Sequence, residues 1–364
     1  AACGKLFSSL FGVKYLTAMI ISAIVIVAYT TLGGFLAAST TDFIQSIIMS
    51  VALIVVLIFG VETAGGISAV IHNASELPGY LSMTLSYDVN TGKAAPYSAL
   101  TIVSTAAWGL GYFGMPHILL RFMAIEDEKK LKLSRRVATI WVVISLFVAV
   151  FIGVIGYTMS KVGALEMLTG SNSETIIVKI SALLSQHGVI FALLAGVILA
   201  GILASTMSTS DSQLLAASSA VSSDILGAFR KDSSNKNGSM AAARITLLVI
   251  SVVAAFIARN PDSSVFAIVS FAWAGFGAAF GPVVLFSLFW KRTNKWGALA
   301  GMVCGGSMVF IWKYLIRPLG GIWNIYELLP AFLIACAAIV IVSLLTPKPS
   351  KEIEEEFDRV AQMK

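Results

Sequence analysis

The sequence predicts an all-α, polytopic membrane helix bundle, on three observations. Of the 364 residues, 57% are hydrophobic and only 12% charged, where an ordinary soluble domain is roughly half apolar and about a quarter charged. The apolar residues fall in long runs instead of alternating with polar ones. The 25 Lys and Arg residues exceed the 19 Asp and Glu by a net charge of +6, yet they sit in connecting loops, so the balance reads as membrane orientation and implies no nucleic-acid partner. Cys3, Cys304 and Cys336 are isolated, which makes them neither a metal cluster nor a disulfide framework but apolar packing residues.

A spanning helix needs about 20 apolar residues. Nine segments qualify, at 14–38, 43–64, 98–119, 137–159, 186–222, 243–258, 264–290, 296–315 and 328–346, within a single integral membrane domain over 1–364. The fifth is overlong and polar in its second half. Seventeen cations fall on one set of alternate loops and the tail, including Arg121, Arg136, Arg230, Lys231, Lys291, Arg292 and Lys364. The opposite loops carry eight, among them Lys5, Lys93, Lys161 and Arg317. The richer side is cytoplasmic by the positive-inside rule, so the visible start lies outside and the charged tail, 347–364, lies in the cytoplasm as a short helix. The chain begins with Ala1 and shows no signal peptide; it reads as cut at its front. Two outer loops are long, 65–97 and 160–185, and the triplet Asn73-Ala74-Ser75 in the first is a chance-level glycosylation sequon.

In lipid an unpaired polar group costs several kcal/mol, so function is sought where the apolar pattern fails. The run from Trp108 to His117 holds three glycines and Pro116, residues that weaken or break a helix. Trp108 and Tyr112, four apart, share a face. Two readings stand: a broken helix lining a cavity, with the aromatics as its wall, or a glycine-lined packing face with an interfacial aromatic belt. In the fifth segment Ser205, Ser208, Thr209 and Ser212 recur at spacings of three and four beside Asp211. Such oxygens suit a small hard cation; serines and threonines also glue helices together, but a carboxylate inside a membrane is functional by default, which favours the cation. Thr40-Thr41-Asp42, before the second segment, reads as a helix N-cap. Gly275, Gly277, Gly281 and Pro282 mark close helix contact and a kink in the seventh segment. His72, His117 and His187 are scattered and form no metal site.

At these residues the sequence resembles the sodium:solute symporter family, in particular its bacterial sodium/proline symporters. The stretches that carry the resemblance are GGFLAASTTDFIQ from Gly33, WGLGYFGMPHILLRFMA from Trp108, GILASTMSTSDSQLLAASSAVSSD from Gly201 and FAWAGFGAAFGPVVLFSLFW from Phe271. The resemblance implies two inverted five-helix repeats, the fold named for a bacterial leucine transporter. The visible spans would then be the fourth to tenth core helices and two peripheral ones, with the first three core helices lacking. If that truncation is real, the polypeptide lacks part of the sodium site and of the substrate pocket.

Carried over by motif, Ser205 offers its backbone carbonyl and Ser208 and Thr209 their hydroxyls to a sodium ion, while Trp108, Tyr112 and Pro116 match positions associated with proline binding. A second cation site in some members falls on Asp42, Ser208, Asp211 and Ser212. Here Asp211 replaces a more common serine, which either strengthens that site or holds a proton or internal partner instead. For Asp42 the resemblance sets a ligand role against the cap. The function implied is sodium-coupled uptake of L-proline across the cytoplasmic membrane, with sodium as the coupling ion and no enzymatic chemistry. Alternatives are a sodium symporter for another small carboxylate or amino acid, or a transporter-like membrane sensor.

Overall fold

The computed structural model describes residues 2–88, 90–225, 236–260 and 264–362. Arg230, Lys231 and Lys364, counted above among the cytoplasmic cations, lie outside the described residues. Seven helices among the described residues are long and apolar enough to cross a membrane: Tyr15–Leu36, Ala38–Thr63, Glu128–Lys161, Val189–Ile225, Val265–Phe289, Lys295–Leu319 and Leu328–Leu345. Ala241–Ile257 is apolar but shorter. The chain divides into two compact units, one of residues 1–81, 87–93 and 125–265 and one of 82–86, 94–124 and 266–364. Among the described residues the strands form one two-stranded sheet, β1 (Leu85–Asp88) with β2 (Lys93–Pro96). It sits in the loop 65–97, where Asp88 accepts from the Asn90 N–H at 2.9 Å and the Thr91 hydroxyl at 2.8 Å.

The first unit holds α1 (Ala2–Phe11), α2 (Tyr15–Thr63), α3 (Ile67–Ser75), α7 (Leu131–Lys161), α8 (Ile176–Ser185), α9 (Val189–Ser219) and α10 (Lys236–Ile257). Its core joins Val56, Val70, Ile152, Ile155, Ile180 and Ile198, from five of these helices. Gly60 lets α2 approach α7: a Cβ there would stand 2.8 Å from the Ile155 methyl. Cys3 is buried, and all three cysteines are free thiols.

The 49-residue α2 contains one non-helical residue, Gly34, with φ 63° and ψ −167°. Only glycine adopts this region without strain, so α2 kinks there, two residues before the first span ends at Leu36, and the helix resumes at once. This corrects the expected boundaries, 14–38 and 43–64, and with them the N-cap reading of Thr40-Thr41-Asp42. No coil separates the spans; the Thr40 hydroxyl donates to the Leu36 carbonyl and that of Thr41 to the Ala38 carbonyl, each at 2.9 Å. Hydroxyls bonded back to the preceding turn belong to a helix interior.

In the loop 160–185 Glu174 gathers three donors. Its carboxylate meets Lys5 Nζ of α1 at 2.9 Å, the Ser264 hydroxyl at 2.9 Å and the Val265 N–H at 3.1 Å. Burial pushes the Glu174 carboxyl up, but the hydrogen bonds from Lys5, Ser264 and Val265 outweigh it and leave the pKa below its ordinary value. A carboxyl depressed on folding contributes stability above its unfolded pKa, about 4.3, and loses it as pH falls through the lower folded value. Acidification below about pH 4 is therefore expected to speed amide exchange in 2–11, and Glu174→Gln to do so already at pH 7. Exchange in that variant equal to wild type at pH 7 would refute the tie.

The second unit holds α4 (Ala99–Ala106), α5 (Trp108–Gly111), α6 (Pro116–Met123), α11 (Val265–Phe289) from Phe266 onward, α12 (Lys295–Ile311), α13 (Leu328–Leu345) and α14 (Lys351–Gln362). Gly297, Gly301 and Gly305, one turn apart, give α12 a flat stripe on which α13 lies. A Cβ on Gly301 would be 2.8 Å from the Ile339 methyl and one on Gly305 3.0 Å from Ala335 Cβ, the close approach that small residues permit in membranes. Asn294 caps α12 through the Gly297 N–H at 2.9 Å and reaches the end of α13 at Thr346 Oγ1, 2.8 Å away.

Candidate functional site

In the first unit the site is built on α9. A serine- and threonine-rich stretch stays helical inside a membrane because its hydroxyls bond one turn back. Ser205 Oγ donates to the Ile202 carbonyl at 2.9 Å, Thr206 Oγ1 to the same carbonyl at 3.1 Å, and Thr209 Oγ1 to the Ser205 carbonyl at 3.1 Å. The predicted Ser205 carbonyl and Thr209 hydroxyl are thus brought into contact. Ser208 is half-buried, and its hydroxyl makes no hydrogen bond among the described residues. Ser208 is thereby an uncommitted oxygen beside two whose mutual bond a cation can replace. Among the described residues no group of three His, Cys, Asp or Glu could hold a metal ion; hydroxyl and carbonyl oxygens of this kind suit a small hard cation.

Two residues on, Asp211 has 0% exposure. Its Oδ2 accepts from the Tyr29 hydroxyl at 2.8 Å, and its Oδ1 from the Ser212 hydroxyl at 3.3 Å. Asp42 stands close enough for its charge to act on both Tyr29 and Asp211. Asp42 on α2 and Asp211 on α9 thus lie on helices that pack against each other, within range of each other's charge, and Ser212 is tied to Asp211. Gln45, one turn beyond Asp42, buries an amide oxygen without a hydrogen-bond partner. Tyr29 was missed from the sequence. Its signal was a lone phenol within the apolar run IVIVAYTTLGG, because a buried hydroxyl in such a run needs an acceptor.

In the second unit the glycine- and proline-rich stretch is broken into α5, a 3-10 turn over Tyr112–Gly114, an extended Met115 (φ −81°, ψ 111°) and α6, with Pro116 in its first turn. Proline is at home there, since its missing N–H has no intrahelical partner. Both sequence readings hold in part: the helix is broken, and Gly111 and Gly114 also pack against α11, where an added Cβ on Gly111 would strike the Trp273 indole. Trp108 is stacked with Phe266 (ring centroids 5.5 Å, planes 9° apart) and with Trp273 (5.4 Å, 15°). Those two rings are seven residues apart on α11, about 10.5 Å of helical rise, so the Trp108 indole is held between them. Trp273 Nε1 also donates to the Trp108 carbonyl at 2.9 Å. The open aromatic face therefore belongs to Tyr112, 46% exposed and edge-to-face with Trp273 at 4.7 Å, rather than to Trp108. Gly275 has open space around it, whereas Gly277 and Gly281 are approached by Gly111, Leu328 and Phe332.

The sodium:solute symporter family profile matches residues 1–305. The sodium/proline symporter of Haemophilus influenzae is 40% identical over 98% of this chain and 69% of its own length. The osmoregulated proline transporter of Bacillus subtilis is 38% identical over 96% of this chain and 67% of its own, and the sodium/proline symporter of Escherichia coli 36% over 98% and 67%. Among solved structures, a substrate-bound, outward-open Na+-coupled sialic acid symporter has the same fold, with a TM-score of 0.72 at 17% identity, over 96% of this chain and 71% of that one. The chain is a multi-pass membrane protein with the helix-bundle fold of that symporter. It belongs to the sodium:solute symporter family, a family of transporters.

Proposed function

We propose that the protein takes up L-proline together with sodium across the cytoplasmic membrane by alternating access. Relatives named for sodium and proline at 36 to 40% identity support the substrate pair. The observation that carries the ion site is the uncommitted Ser208 hydroxyl beside the Ser205 carbonyl and the Thr209 hydroxyl on one turn of α9. Ser205, Ser208 and Thr209 hold the sodium ion, and Asp42, Asp211 and Ser212 form a second cation site. Tyr112 offers its ring to the flat face of proline, Trp108 braces that wall, and Pro116 ends the break whose freed backbone dipoles meet the charged groups of the zwitterion.

Nine crossings follow if the short apolar helix Ala241–Ile257 and the broken segment from Ala99 to Met123 are added to the seven long helices. The polypeptide then works as one transporter domain with inverted repeats, its visible start outside and its tail in the cytoplasm. Sodium binds the outward-facing state more tightly and completes the pocket; a ligand of equal affinity for both states shifts neither. Membrane potential contributes about 2.3 kcal/mol per charge per 100 mV, which sustains accumulation without covalent chemistry. Proteoliposomes of the full-length protein are expected to accumulate labelled proline only with sodium. Ser208→Ala and Thr209→Ala are expected to raise the half-saturating sodium concentration about tenfold, as losing even an outer partner of a metal ligand costs about 10- to 100-fold. Uptake indifferent to sodium would refute the reading.

A further inference from the structure

Tyr326, in the segment joining α12 to α13, makes three ties at once. Its N–H donates to Ser104 Oγ of α4 at 3.1 Å, its hydroxyl donates to the Ser270 carbonyl of α11 at 2.6 Å, and its ring lies nearly parallel to Trp108 (6.2 Å, 16°). Neither helix flanking Tyr326 carries any residue predicted to touch substrate, yet this one side chain reaches the aromatic wall and two helices beside it.

The next residue explains why Tyr326 stays there. Glu327 is 2% exposed, and its carboxylate meets Arg317 Nη1 at 2.8 Å and Lys313 Nζ at 3.9 Å. Arg317 also donates from Nε to Asn324 Oδ1 at 3.0 Å, and the Lys313 ammonium lies 3.8 Å over the Phe271 ring. Moving Glu327 out of this cluster would leave a buried charge without its partner, a strongly unfavourable change. The backbone at 327 is thereby pinned, one peptide unit from Tyr326, whose own N–H and hydroxyl bonds hold its ring beside Trp108.

We propose that Tyr326 is a positioning residue for the substrate pocket: the buried Glu327 cluster holds it against Trp108, and it sets the orientation of the Trp108 and Tyr112 wall. This rests on the reading of that wall as the proline site.

Two measurements on the full-length protein test it. In proteoliposomes Tyr326→Ala is expected to raise the KM for proline about fivefold, with the half-saturating sodium concentration unchanged, while Tyr326→Phe, which keeps the ring, stays within about twofold of wild type. Trp108 emission, taken as the difference between each protein and its Trp108→Phe counterpart, is expected to shift to the red in Tyr326→Ala and not in Tyr326→Phe. A merely structural role would lower the maximal rate with the amount of inserted protein and leave KM alone. Should Tyr326→Ala fail to insert, Ser104→Ala, which removes only the acceptor of the Tyr326 N–H, is expected to raise KM about twofold. Unaltered KM together with unshifted emission overturns the proposal. A red shift alongside wild-type uptake that ignores sodium or proline upholds the positioning of Trp108 and overturns the transport reading instead.

Discussion

Adding one methyl group at Gly114 is expected to destabilise the folded protein by about 3 kcal/mol, the upper end for overpacking a well-filled interior. A Cβ there would strike the Phe276 carbonyl oxygen and stand 2.8 Å from the Gly281 nitrogen and 2.9 Å from Gly277 Cα. All three are backbone atoms of α11, so no rotamer change relieves the clash, and either the turn over Tyr112–Gly114 or α11 itself has to move. Gly109, five residues earlier in the same motif, has nothing within 4 Å of its would-be Cβ. Gly109→Ala should therefore be neutral, or stabilise by up to about 1 kcal/mol through helix propensity. The comparison is made by denaturant titration in detergent micelles; equal stability of the two variants would show that the close contact at Gly114 does not exist.

The second large effect is expected at Tyr29. Tyr29→Phe deletes the phenol that donates to the fully buried Asp211 carboxylate, and a hydrogen bond to a charged group is worth about 1.5–3 kcal/mol. Asp211→Asn keeps an acceptor but removes the charge. In the double variant the losses should fall short of their sum by about 1–2 kcal/mol, because the residues act on each other. Strict additivity would mean that the two side chains do not meet. Sodium is expected to stabilise Tyr29→Phe more than wild type, since the substitution releases a carboxylate oxygen for the proposed second site.

These predictions draw unequally on sequence and structure. The membrane bundle was legible because spanning helices must satisfy every backbone group internally and so appear as long apolar runs; the fourth, seventh and ninth segments have counterparts in Glu128–Lys161, Val265–Phe289 and Leu328–Leu345. The hydroxyl stripe on α9 was legible for the same reason, since polar residues at helical spacing contradict that rule. The break between the first two spans was misplaced at Thr40-Thr41-Asp42. Cap-forming residue types are ambiguous from sequence, and the kink of α2 falls earlier, at the positive φ of Gly34.

The sequence by itself determined the class of architecture, the positions where polarity enters the membrane and the family, all written in composition and local spacing. Only the tertiary structure decided that Asp211 is held by Tyr29 from 182 positions away, that the Trp108 indole is enclosed by Phe266 and Trp273, and that Tyr326 reaches it from 218 positions further along the chain. The physical reason is that contacts between helices depend on which faces meet. Periodicity identifies a polar or aromatic face, but carries no record of the face packed against it.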